Sequence, residues 1–389
     1  MSAPLGAPGG SRPSALVLCP NLANNSLGRA MVLAELLEGH YDVRIAGHQF
    51  GPERWAPARD SHLAIERLAG RNWLGVLWHW RRNTRRLAAD VLVASKPLPQ
   101  VMVYAEWARR RGRTVVLDID DDEIGLARRR GVFKRHLQGV LRFFSPRSYY
   151  HFLWAERLTR RFARITCAST LLQHRYGGTV IYHARRMGML QGAPLQGSQE
   201  QDRARIAAAK SVLFLGTPRR HKGIDVLARA VARLADPDVL LAVVGCRSTH
   251  DVQQQLAAYL PATQLLCVGQ VPLESVAQWL QAATVVVIPQ QREAVAEAQT
   301  PAKLFDAMCC GVALVTTRVG DIPLIVGDAA LVIDDPEDDA ALAQALARLL
   351  ADPALLQLQR QALAQRFERD FSFAATAARM VACCSERVD

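Results

Sequence analysis

Residues 211–234 read SVLFLGTPRRHKGIDVLARAVARL. Ser211–Leu215 is a short apolar run with the length of a buried strand. Gly216–Gly223 follows, a turn that holds Arg219, Arg220, His221 and Lys222. Beyond it Ile224, Leu227, Ala228, Val231 and Leu234 recur at helical spacing and form one apolar face. Strand, glycine-bounded turn and amphipathic helix make one β/α unit. Such units in series predict a parallel sheet with helices on its faces.

The pattern extends in both directions. Downstream, Leu240–Val244, Gln264–Val268, Thr284–Ile288 and Val312–Thr316 read as strands. Pro301–Cys310 reads as a short helix closed by Gly311, and 338–350, 354–366 and 373–384 as three more helices. Upstream, Ala15–Cys19, Tyr41–Ala46, Asp90–Ala94, Thr114–Ile119, Arg164–Ser169 and Thr179–Tyr182 read as strands, and Pro99–Arg110 as a helix. Asn24, Asn25 and Ser26 offer caps to a helix carrying Ala30, Leu33, Ala34 and Leu37. Between the two series, residues 187–205 (MGMLQGAPLQGSQEQDRAR) lose periodicity and read as a linker. The expected architecture is α/β: two doubly wound, Rossmann-like domains facing a cleft. Residues 1–14 are a tail, 15–188 the first domain, 189–205 the linker and 206–372 the second domain. The helix at 373–389 is expected to return to the first.

Length and composition set outer limits. The chain has 389 residues, 50% of them hydrophobic, which excludes wholesale disorder and suits two domains. Its net charge is +12. Residues 126–190 hold fourteen Lys and Arg against one acid, Glu156, so this single segment carries the whole excess. Phe133, Phe143, Phe144, Tyr149, Tyr150, Phe152, Trp154 and Phe162 interleave with those cations. That mixture suits an anionic membrane surface or a lipid-linked ligand, and equally a solvated helix face. Nucleic acid is disfavoured, because no motif for it accompanies the patch. None of the eight cysteines forms a C-x-x-C pair, which excludes zinc-ribbon and redox spacings and leaves reduced thiols. No apolar run reaches the roughly 18 residues of a membrane span. MSAPLGAPGGSRPSA has no apolar signal core. The expectation is a cytoplasmic protein, peripheral to the inner face of a membrane.

Three places carry chemistry. The turn with Arg219, Arg220 and Lys222 precedes a helix N-terminus, where backbone N–H groups and basic side chains suit a nucleotide diphosphate; a solvated basic loop is the alternative. Thr300 reads as the cap of the 301–310 helix, with Lys303 and Asp306 on one face, either beside an anion or as a surface ion pair. Asp118-Ile119-Asp120, continued by Asp121 and Asp122, lies at a strand end. It reads as a divalent-metal site, as a carboxyl of raised pKa, or as a solvated turn.

The segments FLGTPRRHKGIDVLARAV, CVGQVPLESVAQWLQAATVVVIP, TPAKLFDAMCCGVALVTTRVGDIPLIV and ALARLLADP…FERDFSF occur in that order. So do SALVLCPNLANNSLGRAMVLAELL, DVLVASKPLPQ and VVLDIDDDE, in a looser match. Together they resemble glycosyltransferases of the GT-B fold, and most closely glycosyltransferase family 4, the group 1 glycosyltransferases. The resemblance implies a nucleotide diphosphate sugar donor, retention at the anomeric carbon, and no metal or other cofactor. It implies that Lys222 binds the diphosphate, with Arg219 or Arg220 replacing the family's arginine, whose place Thr217 takes. It implies that Asp306, a shortened form of the family's second donor-site glutamate, holds the ribose. The first glutamate is absent at Ala298, leaving Glu293 or Glu297 to meet the transferred sugar. Asp120 stands at the family's N-domain histidine, and Asn25, Ser26 and Gly28 in its diphosphate and acceptor loop. The acceptor is open: a lipid-linked molecule, a cell-surface glycan or a secondary metabolite. A non-catalytic sugar-nucleotide-binding subunit and a sugar-nucleotide epimerase are the rival functions.

Overall fold

The computed structural model describes residues 12–55, 58, 61–122, 136, 139–140, 148–184, 186 and 195–385. The chain divides into two compact units. One is Met1–Ile181 with Ala377–Asp389, the other Tyr182–Thr376.

The first unit is built on a seven-stranded sheet: β1 (Ser14–Cys19), β2 (Asp42–Gly47), β3 (Ala64–Arg67), β4 (Val91–Ser95), β5 (Thr114–Ile119), β6 (Arg164–Cys167) and β7 (Thr179–Val180), in the order β3-β2-β1-β4-β5-β6-β7. Every pairing is parallel, with Val17 opposite Ile45 on one side and Val93 on the other. The central strands are continuous Val, Leu and Ile runs because helices cover both faces. Ser14, assigned to the tail by sequence, belongs to β1; its amide and hydroxyl both donate to Asp90 Oδ2 at 2.7 Å.

The second unit repeats the plan with six parallel strands: β8 (Lys210–Leu215), β9 (Val239–Cys246), β10 (Leu265–Gly269), β11 (Val285–Ile288), β12 (Leu314–Thr317) and β13 (Leu331–Ile333), ordered β10-β9-β8-β11-β12-β13. Its core gathers Phe214, Leu241, Val243, Val287, Val315 and Leu346. In each sheet the order reverses once, between β1 and β4 and between β8 and β11. Ligands of doubly wound sheets bind outside the carboxyl ends of the strands at that point.

The sequence pattern misses β3 and β13. Both are sheet edges, β3 with one large apolar residue and β13 with three residues in all, so neither makes a run. Part of the linker is also more ordered than its composition predicts. Ser198–Ala208 is a helix in which only Ile206 is buried, so an apolar period is missing. The last helix, Phe373–Ser385, runs from the second unit into the first, where Arg164 Nη1 donates to the Cys384 carbonyl at 2.6 Å.

Candidate functional site

In the second unit the loops leaving β8 and β11 are laced together. The β8 loop ends in a 3₁₀ turn over Arg220–Lys222, in which the Lys222 amide donates to the Arg219 carbonyl at 2.8 Å. Gly223 then takes φ +67°, and a Cβ there would lie 1.9 Å from the Pro289 carbonyl oxygen. The Gln291 amide donates to the His221 carbonyl at 2.9 Å. Only glycine allows the basic turn to close against the end of β11 in this way.

The turn leaves Arg219 and Arg220 exposed and draws Lys222 inward. Burial, and then the charge of Arg219, hold the Lys222 ammonium below its ordinary pKa. Lys303 comes from the helix Ala302–Cys309. Part of its chain is open, yet its Nζ is shut off from solvent without a hydrogen-bond partner among the described residues. It lies 4.4 Å from the centre of the Phe214 ring on β8. Burial, and then the charge of Lys222, lower its pKa to about 7. An ammonium buried without an anion is unfavourable. Two such lysines near one strand end make a place where an anion removes that penalty.

The structure corrects several local expectations. Thr300 is not the helix cap; Pro301 occupies that position, and no side chain caps the turn. Lys303 and Asp306 form no ion pair: the lysine reaches Phe214, while Asp306 is buried at 5% exposure. Phe305, packed on Tyr182 and Phe371 at 5.6 and 5.5 Å between ring centres, fixes how that helix is turned. Glu297 accepts from the Gly320 amide at 2.8 Å, with Arg292 at 3.8 Å, so its carboxylate already serves the loop after β12. Glu293 is exposed and shares a pocket of about 280 Å³ with Arg220, Gln291, Arg292 and Glu337. Its charge favours the His221 imidazolium, but burial outweighs it and lowers the His221 pKa. Ala298 is buried, and its side chain carries no polar group.

The acidic strand end of the first unit is a second site, and its carboxylates are engaged. Asp118 points into the core, where Arg29 grips it through Nε at 3.0 Å and Nη2 at 2.7 Å, and Thr166 Oγ1 donates at 2.8 Å. Lys96 adopts φ +65°, uncommon for a residue other than glycine, and its Nζ lies 3.1 Å from Asp120 and 2.6 Å from Asp121. Asp122 pairs with Arg175 at 2.7 Å. Among the described residues no group of three or more His, Cys, Asp or Glu is placed to hold a metal ion. Asp120 keeps one buried oxygen, Oδ1, without a partner among the described residues. Burial pushes its carboxyl up to about 7; Lys96 opposes the rise, and Asp121 and Asp118 add to it.

Asn25, Ser26 and Gly28 form no open loop. The helix Ser26–Leu37 begins there, with the Ser26 amide on Asn24 Oδ1 at 3.0 Å. A Cβ on Gly28 would lie 2.9 Å from the Trp55 ring. Arg29 and Lys96 are the functional candidates that pattern reading missed. The available signal is Arg29 set among the apolar positions Ala30, Leu33, Ala34 and Leu37 of that helix.

Most of the basic segment lies outside the described residues, including Phe133, Phe143 and Phe144. Within them, Tyr149, Tyr150, Phe152 and Trp154 sit on the helix Tyr149–Thr159, Phe162 is buried, and Arg175 is spent on Asp122 and Glu156. All eight cysteines are free thiols. No helix among the described residues is long and apolar enough to cross a membrane.

Two parallel-sheet α/β units with these switch points define the GT-B class, and solved structures agree. Anabaena HepE in complex with UDP superposes with a TM-score of 0.71 at 16% identity, over 95% of this chain and 98% of that one. Sucrose-phosphate synthase from Thermosynechococcus elongatus gives 0.67 at 17% identity, over 95% and 97%. Residues 209–352 match the family model "Glycosyl transferases group 1". It is similar to D-inositol 3-phosphate glycosyltransferase 1 of Catenulispora acidiphila, at 30% identity over 41% of this chain and 41% of the relative. It is also similar to alpha-maltose-1-phosphate synthase of Mycolicibacterium smegmatis, at 32% identity over 42% and 44%. The match therefore spans less than half the length of these relatives.

Proposed function

We propose that this protein transfers a sugar from a nucleoside diphosphate sugar to an acceptor hydroxyl, with retention at the anomeric carbon and without a metal ion. The observation that carries the reading is the pair Lys222 and Lys303, two ammonium groups at the end of β8 with lowered pKa values. Neither meets a carboxylate among the described residues. In a transferase of this kind the leaving group is a diphosphate, whose charge grows as the glycosidic bond breaks. Fixed cations aimed at that charge stabilise the transition state more than the ground state. Lys222 and Lys303, aided by Arg219 or Arg220, take this role. Asp306 orients the ribose. Glu293, exposed beside Arg220, is assigned to the transferred sugar in preference to Glu297, which Gly320 already occupies. Asp120, in the first unit, is assigned to the acceptor hydroxyl. UDP in a structural neighbour makes it the first nucleotide to try.

The test is thermal stabilisation by a panel of nucleoside diphosphates and their sugars, on the wild type and on Lys222→Ala. A ligand at about 100 times its dissociation constant stabilises by roughly 2.7 kcal/mol. A shift with one nucleotide, lost in the variant, supports the donor site. No shift with any nucleotide sinks it. A second reading, a binding subunit without turnover, is favoured by the engaged Glu297 and the apolar Ala298. Donor binding with no sugar transfer to any acceptor, and no loss on Glu293→Gln, would select it.

A further inference from the structure

One short helix of the first unit hides half of itself and displays the rest. Trp73–Trp78 turns Trp73 and Val76 inward. It leaves Leu74, Leu77 and Trp78 at 56%, 48% and 86% exposure. These three stand at i, i+3 and i+4, so they are neighbours on one side of the helix. The helix is held from behind: Asn72 accepts from the Gly75 amide at 2.8 Å, and the Trp73 ring lies 5.4 Å from that of His151. An exposed cluster of two leucines and a tryptophan on a pinned helix marks an interaction surface.

The flanking charge says what covers it. Arg71 precedes the cluster and Arg81, Arg82 and Arg85 follow it, all exposed. From Arg67 to Ala89 the sequence has no Asp or Glu. Arg86 is paired with Glu66 at 3.0 Å, whereas the other four arginines meet no carboxylate among the described residues. A second copy of this patch would press like charges together. A bilayer with anionic lipid satisfies both parts: apolar side chains reach the acyl boundary, the indole suits the interface, and guanidiniums meet lipid phosphates.

We propose that residues 71–85 dock this protein on an anionic bilayer, with Leu74, Leu77 and Trp78 entering the interface and Arg71, Arg81, Arg82 and Arg85 binding lipid phosphates. This moves the membrane contact from the 126–190 segment suggested by charge density to a patch that pairs exposed apolar area with arginines that meet no carboxylate among the described residues. It does not rest on the donor-site reading, since every residue in it lies in the first unit.

The test is co-sedimentation of the full chain with phosphatidylcholine vesicles, with and without phosphatidylglycerol. Wild type should bind only the anionic vesicles and release with salt. Leu77→Ser/Trp78→Ser and Arg81→Gln/Arg82→Gln should each bind at least about tenfold more weakly. Their far-ultraviolet circular dichroism should match wild type, because the altered side chains are exposed. Lys222→Ala should bind vesicles as wild type does, which separates this surface from the donor site. No binding to anionic vesicles overturns the proposal, as does binding that survives both double substitutions. A dimer abolished by Leu77→Ser/Trp78→Ser also overturns it and assigns the patch to a second copy.

Discussion

The Lys303 ammonium faces the Phe214 ring at 4.4 Å and has no hydrogen-bond partner among the described residues. The ring face offsets part of the lost hydration, but it is a weak substitute for an anion. With a pKa lowered to about 7, the group is largely neutral at pH 8. A diphosphate would restore its charge, so binding should take up a proton. Calorimetry of UDP binding near pH 8, in buffers of different ionisation enthalpy, should show that uptake. Lys303→Met should abolish the uptake and weaken binding. It should also raise the stability of the free protein at neutral pH, by about 1–3 kcal/mol, because an unpaired buried cation is gone. The sign follows from a depressed folded-state pKa. The Lys303 contribution is complete above the ordinary lysine value and is lost as pH falls through about 7.

Gly223 and Gly112 separate backbone strain from crowding. Both have positive φ, +67° and +71°, but a Cβ at Gly223 meets the Pro289 oxygen at 1.9 Å while one at Gly112 meets nothing within 4 Å. Gly112→Ala should cost about 1 kcal/mol, the left-handed penalty alone. Gly223→Ala should cost about 2–4 kcal/mol and weaken UDP binding, since the β8 turn must pull away from β11. Urea unfolding and a nucleotide titration on both variants check this.

How far the sequence carried these sites follows from the same physics. Strands at the sheet centres are buried on both faces, so their apolar runs are continuous, and Thr114–Ile119 is predicted at its observed bounds. The β8 turn is legible too, because glycines bracket a cluster of cations. Partnership over long separations is not legible. Nothing near Arg29 announces that it grips Asp118, 89 residues away. Lys303 and Asp306, one helical turn apart, invite an ion pair that the position of Phe214 overrides. Local spacing names neighbours, and the folded core decides which of them meet.

Arg29 and Asp118 are both buried and joined by two hydrogen bonds. Replacing one partner strands the other charge in the core. Arg29→Met and Asp118→Leu should each destabilise by about 3–5 kcal/mol, and Arg29→Met/Asp118→Leu by less than the sum of the singles. Chemical denaturation of the three variants measures the coupling. Additive losses would mean that the pair contributes no specific interaction.

Asp120 gives the sharpest dependence on pH. Its carboxyl, pushed up to about 7 chiefly by burial, holds a proton in the folded protein that the unfolded chain releases near the ordinary carboxylate value. The stability it contributes is therefore complete below that ordinary value and is lost as pH rises through about 7. Asp120→Asn keeps the shape and cannot ionise. The difference in unfolding free energy between variant and wild type, in which other titrating groups largely cancel, should shift in favour of the variant by about 3–4 kcal/mol between pH 4 and pH 8. A gap that shifts the other way would mean that Lys96, 3.1 Å from Asp120, keeps the carboxylate ionised and makes it an ion-pair partner in place of a proton carrier. The same variant separates the roles in turnover. A protonated Asp120 that handles the acceptor hydroxyl should give wild-type activity that changes with pH near 7 and an asparagine variant whose residual activity does not.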